Sequence, residues 1–330
     1  MIRIGILGAA RIAPRGIVTP ANALLGAEVV AIGARNLERA QNFAAQHAIP
    51  IACGSYAELV ARDDIDLVYV ALPPSAHLEW CTAAVAHGKH VLVEKPFASN
   101  AQDAAQMVAA ARLANRHLIE AFHYRFHPLF ERALTAVRSG SIGRIHHIDA
   151  VFNAVLPDTP GELRYIEELG GGAMMDLGCY CVHWIRTVAG DEPSVVRAQA
   201  RCASPGIDIE VEAELAFTSG PTATLKCSMN PEDGVVFRRL RVRGEKGVLE
   251  FDNPVSPHNG ATLSIETDVP SLPQIVSGGD TTFHFQLRHV LEVIAGRAQP
   301  LTGADDAINN MRAIDSIYRA AGMRPRGLPA

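Results

Sequence analysis

A lysine stands directly behind an apolar run in this chain: His90-Val91-Leu92-Val93 leads into Glu94-Lys95-Pro96. Far downstream, Gly170-Gly171-Gly172 precedes a helical stretch that carries Asp176 and Tyr180. An ammonium, a carboxylate and a phenol can together polarise a carbinol or carbonyl oxygen and move its proton. A nearby ammonium lowers a phenol pKa from its reference near ~10, and a carboxylate keeps the ammonium charged. Tyr180 would then exchange the proton while Lys95 polarises the oxygen. The alternative gives the proton to Lys95 and leaves Tyr180 to position the substrate. Asp176 and Tyr180 share one face of a regular helix by their spacing. Amid Met174, Met175, Leu177, Cys179 and Val182, both polar groups need partners if buried.

Such groups act only where the chain brings them to a ligand, and the first third of the sequence has the pattern to do so. Strand-like and helix-like segments alternate from Ile2 to Phe122, which predicts βαβ units and a parallel sheet. Ligands of such sheets bind beyond the carboxyl ends of the strands, where Lys95 stands, pinned by the stiff backbone of Pro96. After about His123 the rhythm changes. Longer strand-like runs punctuated by glycine, proline and asparagine predict a large, mostly antiparallel sheet with helices on one face. A helix over about Gly172 to Val188 interrupts these runs, and two more close the chain. We therefore expect an α/β protein with a parallel-sheet domain over 1–122 and an α+β domain over 123–330.

Gly8-Ala9-Ala10-Arg11-Ile12-Ala13 occupies the first strand-to-helix turn. Gly8 keeps it tight, and the alanines at the next two fingerprint positions still allow a pyrophosphate close to the backbone at a helix start. Sites for NAD place a carboxylate at the end of the second strand. Here that segment reads Gly33-Ala34-Arg35-Asn36; Arg35 suits a 2′-phosphate and adenine stacking, which favours NADP over NAD. Leu72-Pro73-Pro74-Ser75-Ala76-His77 forms a stiff loop after the fourth strand that would lie under the pyrophosphate and nicotinamide ribose.

Composition narrows the rest. The net charge of -5, with no basic block, argues against nucleic acid as a partner. No apolar run approaches the ~18 residues of a membrane span, and Met1 to Leu7 does not read as a secretory signal. Six scattered cysteines fit reduced thiols in a cytoplasm. Pro128 makes a regular helix across His123 and His127 improbable, so no metal site is expected there.

Glu94-Lys95-Pro96 together with Gly170-Gly171-Gly172-Ala173-Met174-Met175-Asp176-Leu177-Gly178 resembles the glucose-fructose oxidoreductase / inositol dehydrogenase (Gfo/Idh/MocA) family over essentially the whole chain. The resemblance implies a Rossmann domain, a second domain whose open sheet supports homodimers or homotetramers, and hydride transfer to or from a small polyhydroxy substrate. It carries over Lys95, and Asp176 as a substrate-site residue. Asp176-Leu177-Gly178-Cys179-Tyr180-Cys181 is similar to the branch containing dimeric dihydrodiol dehydrogenase and NADP-dependent xylose dehydrogenases, in which tyrosine is the acid–base residue. Tyr124-Arg125-Phe126-His127-Pro128 resembles a family segment in which Arg125 reaches cofactor or substrate; a hinge salt bridge is the other reading. The expected set is then Lys95, Tyr180 and Asp176 for catalysis. For the cofactor it is Gly8, Ala9, Ala10, Arg11, Ile12, Arg35, Leu72, Pro73, His77, Glu94, Lys95 and Arg125. Two rival readings share the fold: a nucleotide-sensing protein without catalysis, and an enzyme that keeps NAD(P) bound through a full cycle, as in glycosidases or sugar–sugar oxidoreductases.

Overall fold

The structure is a computed structural model describing residues 1–268 and 273–329. Contacts divide the chain into two units, neither continuous in sequence. One holds Met1–Ala98, Gln102–His123 and Phe283–Ile308; the other holds Ser99–Ala101, Tyr124–Thr282 and Asn309–Ala330.

The first unit is built on β1 (Ile2–Leu7), β2 (Ala27–Gly33), β3 (Ile51–Cys53), β4 (Leu67–Val70), β5 (His90–Val93) and β6 (Leu118–Glu120). They pair in the order β3-β2-β1-β4-β5-β6, every pair parallel. Every residue of β4 is buried, because a parallel sheet is covered on both faces; hence its continuous apolar run. The Asn36 side chain accepts from the Arg39 amide at 2.8 Å and caps the helix Leu37–His47, which Ala48 ends in the left-handed region. Chain order reverses between β1 and β4, which opens the crevice characteristic of doubly wound sheets. Leu287, Val290 and Val293 of the helix Thr282–Ile294 bury in the same core as Ile4, Ile17 and Leu67.

The second unit is an eight-stranded sheet. Its strands are β7 (Ile145–Asn153), β8 (Pro193–Ser204), β9 (Ile207–Phe217), β10 (Thr222–Ser228), β11 (Phe237–Gly244), β12 (Gly247–Asp252), β13 (Ala261–Thr267) and β14 (Gln274–Val276). The order is β14-β13-β12-β11-β7-β10-β9-β8. Among the described strands of this sheet only β7 and β10 pair in parallel. Along β9, Val211, Ala213 and Leu215 are buried while Glu210, Glu212 and Glu214 face outward, the two-residue period of a half-covered sheet. β13 and β14 extend the sheet beyond the runs expected from sequence. The segment bearing Asp176 is not a regular helix throughout: Met174–Gly178 forms a π turn that passes into the α-helix Cys179–Ala189.

Candidate functional site

Within the first unit, the expected cofactor residues collect at the carboxyl ends of β1, β2, β4 and β5. Gly8 follows β1 with φ +101°, and a Cβ there would stand 2.5 Å from the Ala71 carbonyl oxygen. Only glycine allows that approach of two loops. The Ala10 amide donates to the Gly8 carbonyl (2.8 Å), and Ala13 to Ala10 (3.1 Å), which folds Ala9 to Ala13 into a tight turn. A helical segment follows from Pro14, which has no N–H, and the Gly16 amide donates to the Ile12 carbonyl at 2.8 Å. Close backbone approach beside a helix start is what a pyrophosphate site uses. Arg11 is exposed and Ile12 half-buried beside the turn.

Arg35 lies just past β2, exposed. It has a companion that sequence reading missed: Arg39, in the first turn of the helix Leu37–His47, donates from Nη2 to the Ala9 carbonyl at 3.1 Å. Both guanidinium groups act on the Tyr56 phenol, whose pKa burial raises and the two arginines pull down. Both cations therefore stand near Tyr56, and Arg39 reaches the glycine turn. The missed signal was a second arginine in the first turn of the helix that Asn36 caps.

The other loops are cross-braced. His77 is buried, with Nε2 at 2.9 Å from the Leu72 carbonyl and Nδ1 at 3.1 Å from that of Phe97. It ties the loop after β4, with Leu72 and Pro73 half-buried, to the loop after β5. Burial depresses the imidazole pKa despite those carbonyls. Glu94 is buried as well, and burial raises its pKa against the opposing effects of the Tyr69 hydroxyl bond and Lys95. Tyr69 donates to Glu94 Oε1. Gly16 makes room for this bond, since a Cβ there would stand 2.5 Å from the Tyr69 hydroxyl. Lys95 is half-buried, and its peptide to Pro96 is cis.

In the second unit, Asp176 Oδ2 accepts from Arg164 Nε at 2.6 Å, and Arg164 Nη1 reaches Glu162 at 2.8 Å. Burial works to lower the Arg164 pKa, but Asp176 and Glu162 outweigh it and raise it. The segment before the glycines thus supplies Asp176 with a cation. Tyr180 is buried to 5% exposure. It packs among Phe152, Tyr124 and Trp184, with ring centroids at 5.5, 5.9 and 6.2 Å. Tyr124 itself hydrogen-bonds His183. Arg125 is buried and pairs with Glu131 at 3.0 Å in its own unit. His127 caps the helix Pro128–Arg138 through the Leu129 amide, and His123 packs at a tilt on Phe283 with ring centroids 4.0 Å apart.

The glycines before Asp176 are held by a polar network that the sequence did not reveal. Arg326 Nε donates to the Gly171 carbonyl at 2.7 Å, and its Nη2 pairs with Asp208. Asp208 also accepts from the Met174 amide at 2.7 Å and the Tyr318 hydroxyl at 3.0 Å. A Cβ on Gly172, at φ +123°, would collide with the Asp208 carboxylate.

Known proteins match this architecture. Residues 2–122 match an oxidoreductase family with an NAD-binding Rossmann fold, and residues 130–250 match the GFO/IDH/MocA C-terminal domain. A D-xylose 1-dehydrogenase (NADP(+)) from Haloferax volcanii is 33% identical over 320 residues, 96% of each chain. A trans-1,2-dihydrobenzene-1,2-diol dehydrogenase from Xenopus laevis is 34% identical over 273 residues, 81% of each. A 3-ketoreductase from Actinomadura kijaniata, solved with NADP and TDP-benzene, superposes with a TM-score of 0.87 at 28% identity over 99% of both chains. With the glycine turn, Glu94-Lys95-Pro96 and the Asp176 segment in their places along it, this chain belongs to the Gfo/Idh/MocA family of oxidoreductases.

Proposed function

We propose that the chain is an NADP-dependent dehydrogenase or reductase acting on a CH–OH group of a sugar, cyclic polyol or trans-dihydrodiol. The observation that carries the cofactor choice is the pair Arg35 and Arg39 near Tyr56, Arg39 reaching the Gly8 turn, with no carboxylate in Gly33-Ala34-Arg35-Asn36. The NADP in the names of the xylose dehydrogenase and the ketoreductase supports it. NADP supplies the hydride acceptor or donor at nicotinamide C4.

The chain's own residues do the rest. Gly8, Ala9, Ala10, Arg11 and Ile12 take the pyrophosphate; Arg35 and Arg39 take the 2′-phosphate. Leu72, Pro73, His77 and Glu94 shape the loops on which the nicotinamide half rests. Arg125 acts by its ion pair with Glu131, as a support for that segment. Lys95 polarises the substrate oxygen. Tyr180, held by its aromatic neighbours, takes the alcohol proton in oxidation and returns it in reduction. Asp176, charged through Arg164, orients the substrate. The outward face of the eight-stranded sheet, lined with alternating Arg, Lys, Asp and Glu side chains, supports assembly as a homodimer or homotetramer. The free cysteines support a reducing cytoplasm as its place.

Turnover with NADP across a panel of sugars, polyols and dihydrodiols tests this reading, with Lys95→Met and Tyr180→Phe run beside the wild type. Loss of at least a hundredfold in kcat in each variant, with NADP binding retained, is the expected result. Full activity in both variants would sink the assignment of roles.

A further inference from the structure

The strand β11 carries Arg238, Arg239, Arg241 and Arg243, and alternation separates the first from the rest. Arg239 pairs with Asp252 at 2.6 Å, Arg241 with Glu250 at 3.4 Å and Arg243 with Asp149 at 3.0 Å, all on the charged face. Arg238 points to the opposite face with Leu240 and Val242, both fully buried. A guanidinium in a core-facing register position needs a reason.

Its surroundings supply one. Arg238 stands opposite Phe152 in the β11–β7 register, and its guanidinium carbon lies 5.1 Å from the Phe152 ring centroid. The Phe152 ring is 5.5 Å from that of Tyr180, so guanidinium and phenol border the same aromatic ring. Burial lowers the Arg238 pKa and the Tyr180 phenol counteracts this, which sets the two within electrostatic reach. Among the described residues the guanidinium makes one hydrogen bond, a long one from Nη1 to Asn253 Oδ1 at 3.4 Å. Nε is buried with no acceptor, and no carboxylate lies within ion-pair distance of Arg238 among the described residues. A cation built for five hydrogen bonds is stacked in place with most of them unspent.

We propose that Arg238 binds substrate: its guanidinium takes an oxygen on a carbon adjacent to the reacting carbinol, and so selects vicinally oxygenated substrates over their deoxy analogues. The proposal rests on the reading of Tyr180 as part of the substrate site. The oxygen it takes is the hydroxyl on that neighbouring carbon, whose lone pairs accept from the guanidinium fork.

Trp184 stacks on Phe152 at 6.1 Å, so tryptophan fluorescence of the NADP-loaded full chain reports sugar binding without requiring turnover. D-xylose, 2-deoxy-D-xylose, D-glucose and D-glucuronate are titrated onto wild type, Arg238→Met and Arg238→Lys. We expect Arg238→Met to weaken D-xylose binding at least tenfold, to abolish the preference over the deoxy sugar, and to leave NADP affinity unchanged. Arg238→Lys should recover part of the loss. Stronger dependence on Arg238 for D-glucuronate than for D-glucose would place the guanidinium at the remote carboxylate and overturn the adjacent-oxygen assignment. Unchanged sugar binding in Arg238→Met, or an equal loss for D-xylose and its deoxy analogue, would overturn the proposal and leave Arg238 a packing residue. Absence of turnover with Arg238-dependent binding intact would instead defeat the dehydrogenase reading and leave this one standing.

Discussion

Arg326 and Asp208, 118 residues apart in sequence, form a buried ion pair at exposures of 1% and 0%. Burial raises the Asp208 pKa, and Arg326 with the Met174 amide and Tyr318 hydroxyl work against that rise. The pair sits where the chain turns through Gly171 and Gly172 into the Asp176 segment. It therefore fixes the backbone that presents Asp176 and Tyr180.

Breaking one half of such a pair leaves a buried charge uncompensated, which costs roughly 3–5 kcal/mol. Arg326→Met and Asp208→Asn should each lower the urea midpoint sharply. The double variant should lose clearly less than the sum of the two, because the stranded charge is gone. Additive losses across the cycle would show that the two residues stabilise the turn independently.

The two arginines after β2 make a prediction about cofactor choice. A charge-assisted hydrogen bond to a phosphate contributes about 1.5–3 kcal/mol, or roughly ten- to a hundredfold in affinity. Arg35→Ala and Arg39→Ala should each reduce kcat/KM for NADP by about that factor and leave kcat/KM for NAD nearly unchanged. A parallel fall for both cofactors would mean that the arginines hold the loop, as the Arg39 bond to the Ala9 carbonyl does, and do not read the phosphate.

Beneath that loop, the Tyr69–Glu94 bond depends on a glycine. Gly16→Ala would push its methyl against the Tyr69 hydroxyl, and Tyr69→Phe removes the donor outright. Either leaves the buried Glu94 carboxylate without that partner, at about 1–3 kcal/mol. The raised Glu94 pKa fixes the sign of the pH effect. Between its unfolded and folded values the native state binds more protons, so this group's contribution to stability falls as pH rises. Both variants should steepen that fall in chemical denaturation above about pH 4.5, the ordinary glutamate value. Identical pH slopes in variant and wild type would remove Glu94 from the account.

Much of this was legible in the sequence because the physics is local. Continuous apolar runs such as Leu67–Val70 mark strands covered on both sides, and Gly8 marks a turn that admits no side chain. Glu94-Lys95-Pro96 could be placed at a strand end because that strand was unmistakable. What stayed hidden is long-range or compensating. Arg326 reaches its partners from near the end of the described chain. The helix Thr282–Ile294 buries its apolar side with β1, far upstream. Its amphipathic pattern reports that a face is buried, but not in which core. β14 escaped notice because only three residues of β13 pair with it, and β13 because its apolar positions are few and small-to-medium, Ala261, Leu263 and Ile265. The Asp176 segment was read as a regular helix, since the Asp208 bond to the Met174 amide that accompanies its π turn is invisible to periodicity.

Histidines set the acid limit of the fold. Burial holds the His90 pKa down to about 4, with help from His117 and Arg116, and holds His127 down to about 4 as well, with His258 adding to it. His77 is depressed in the same direction by burial. A base whose folded pKa lies below its unfolded value near ~6.5 contributes fully above that value. The contribution is lost as pH falls, because the unfolded chain takes up protons that the native state refuses. Stability should therefore decline from about pH 6.5 toward about 4, the folded value of His90 and His127, before surface carboxylates dominate. His90 Nδ1 accepts the His117 amide at 3.1 Å, so His90→Asn keeps an acceptor while removing a titrating ring. Urea midpoints measured across that range should show a shallower acid decline in His90→Asn than in wild type. An unchanged decline would place the acid sensitivity in other groups, with His77 and His127 the next to substitute.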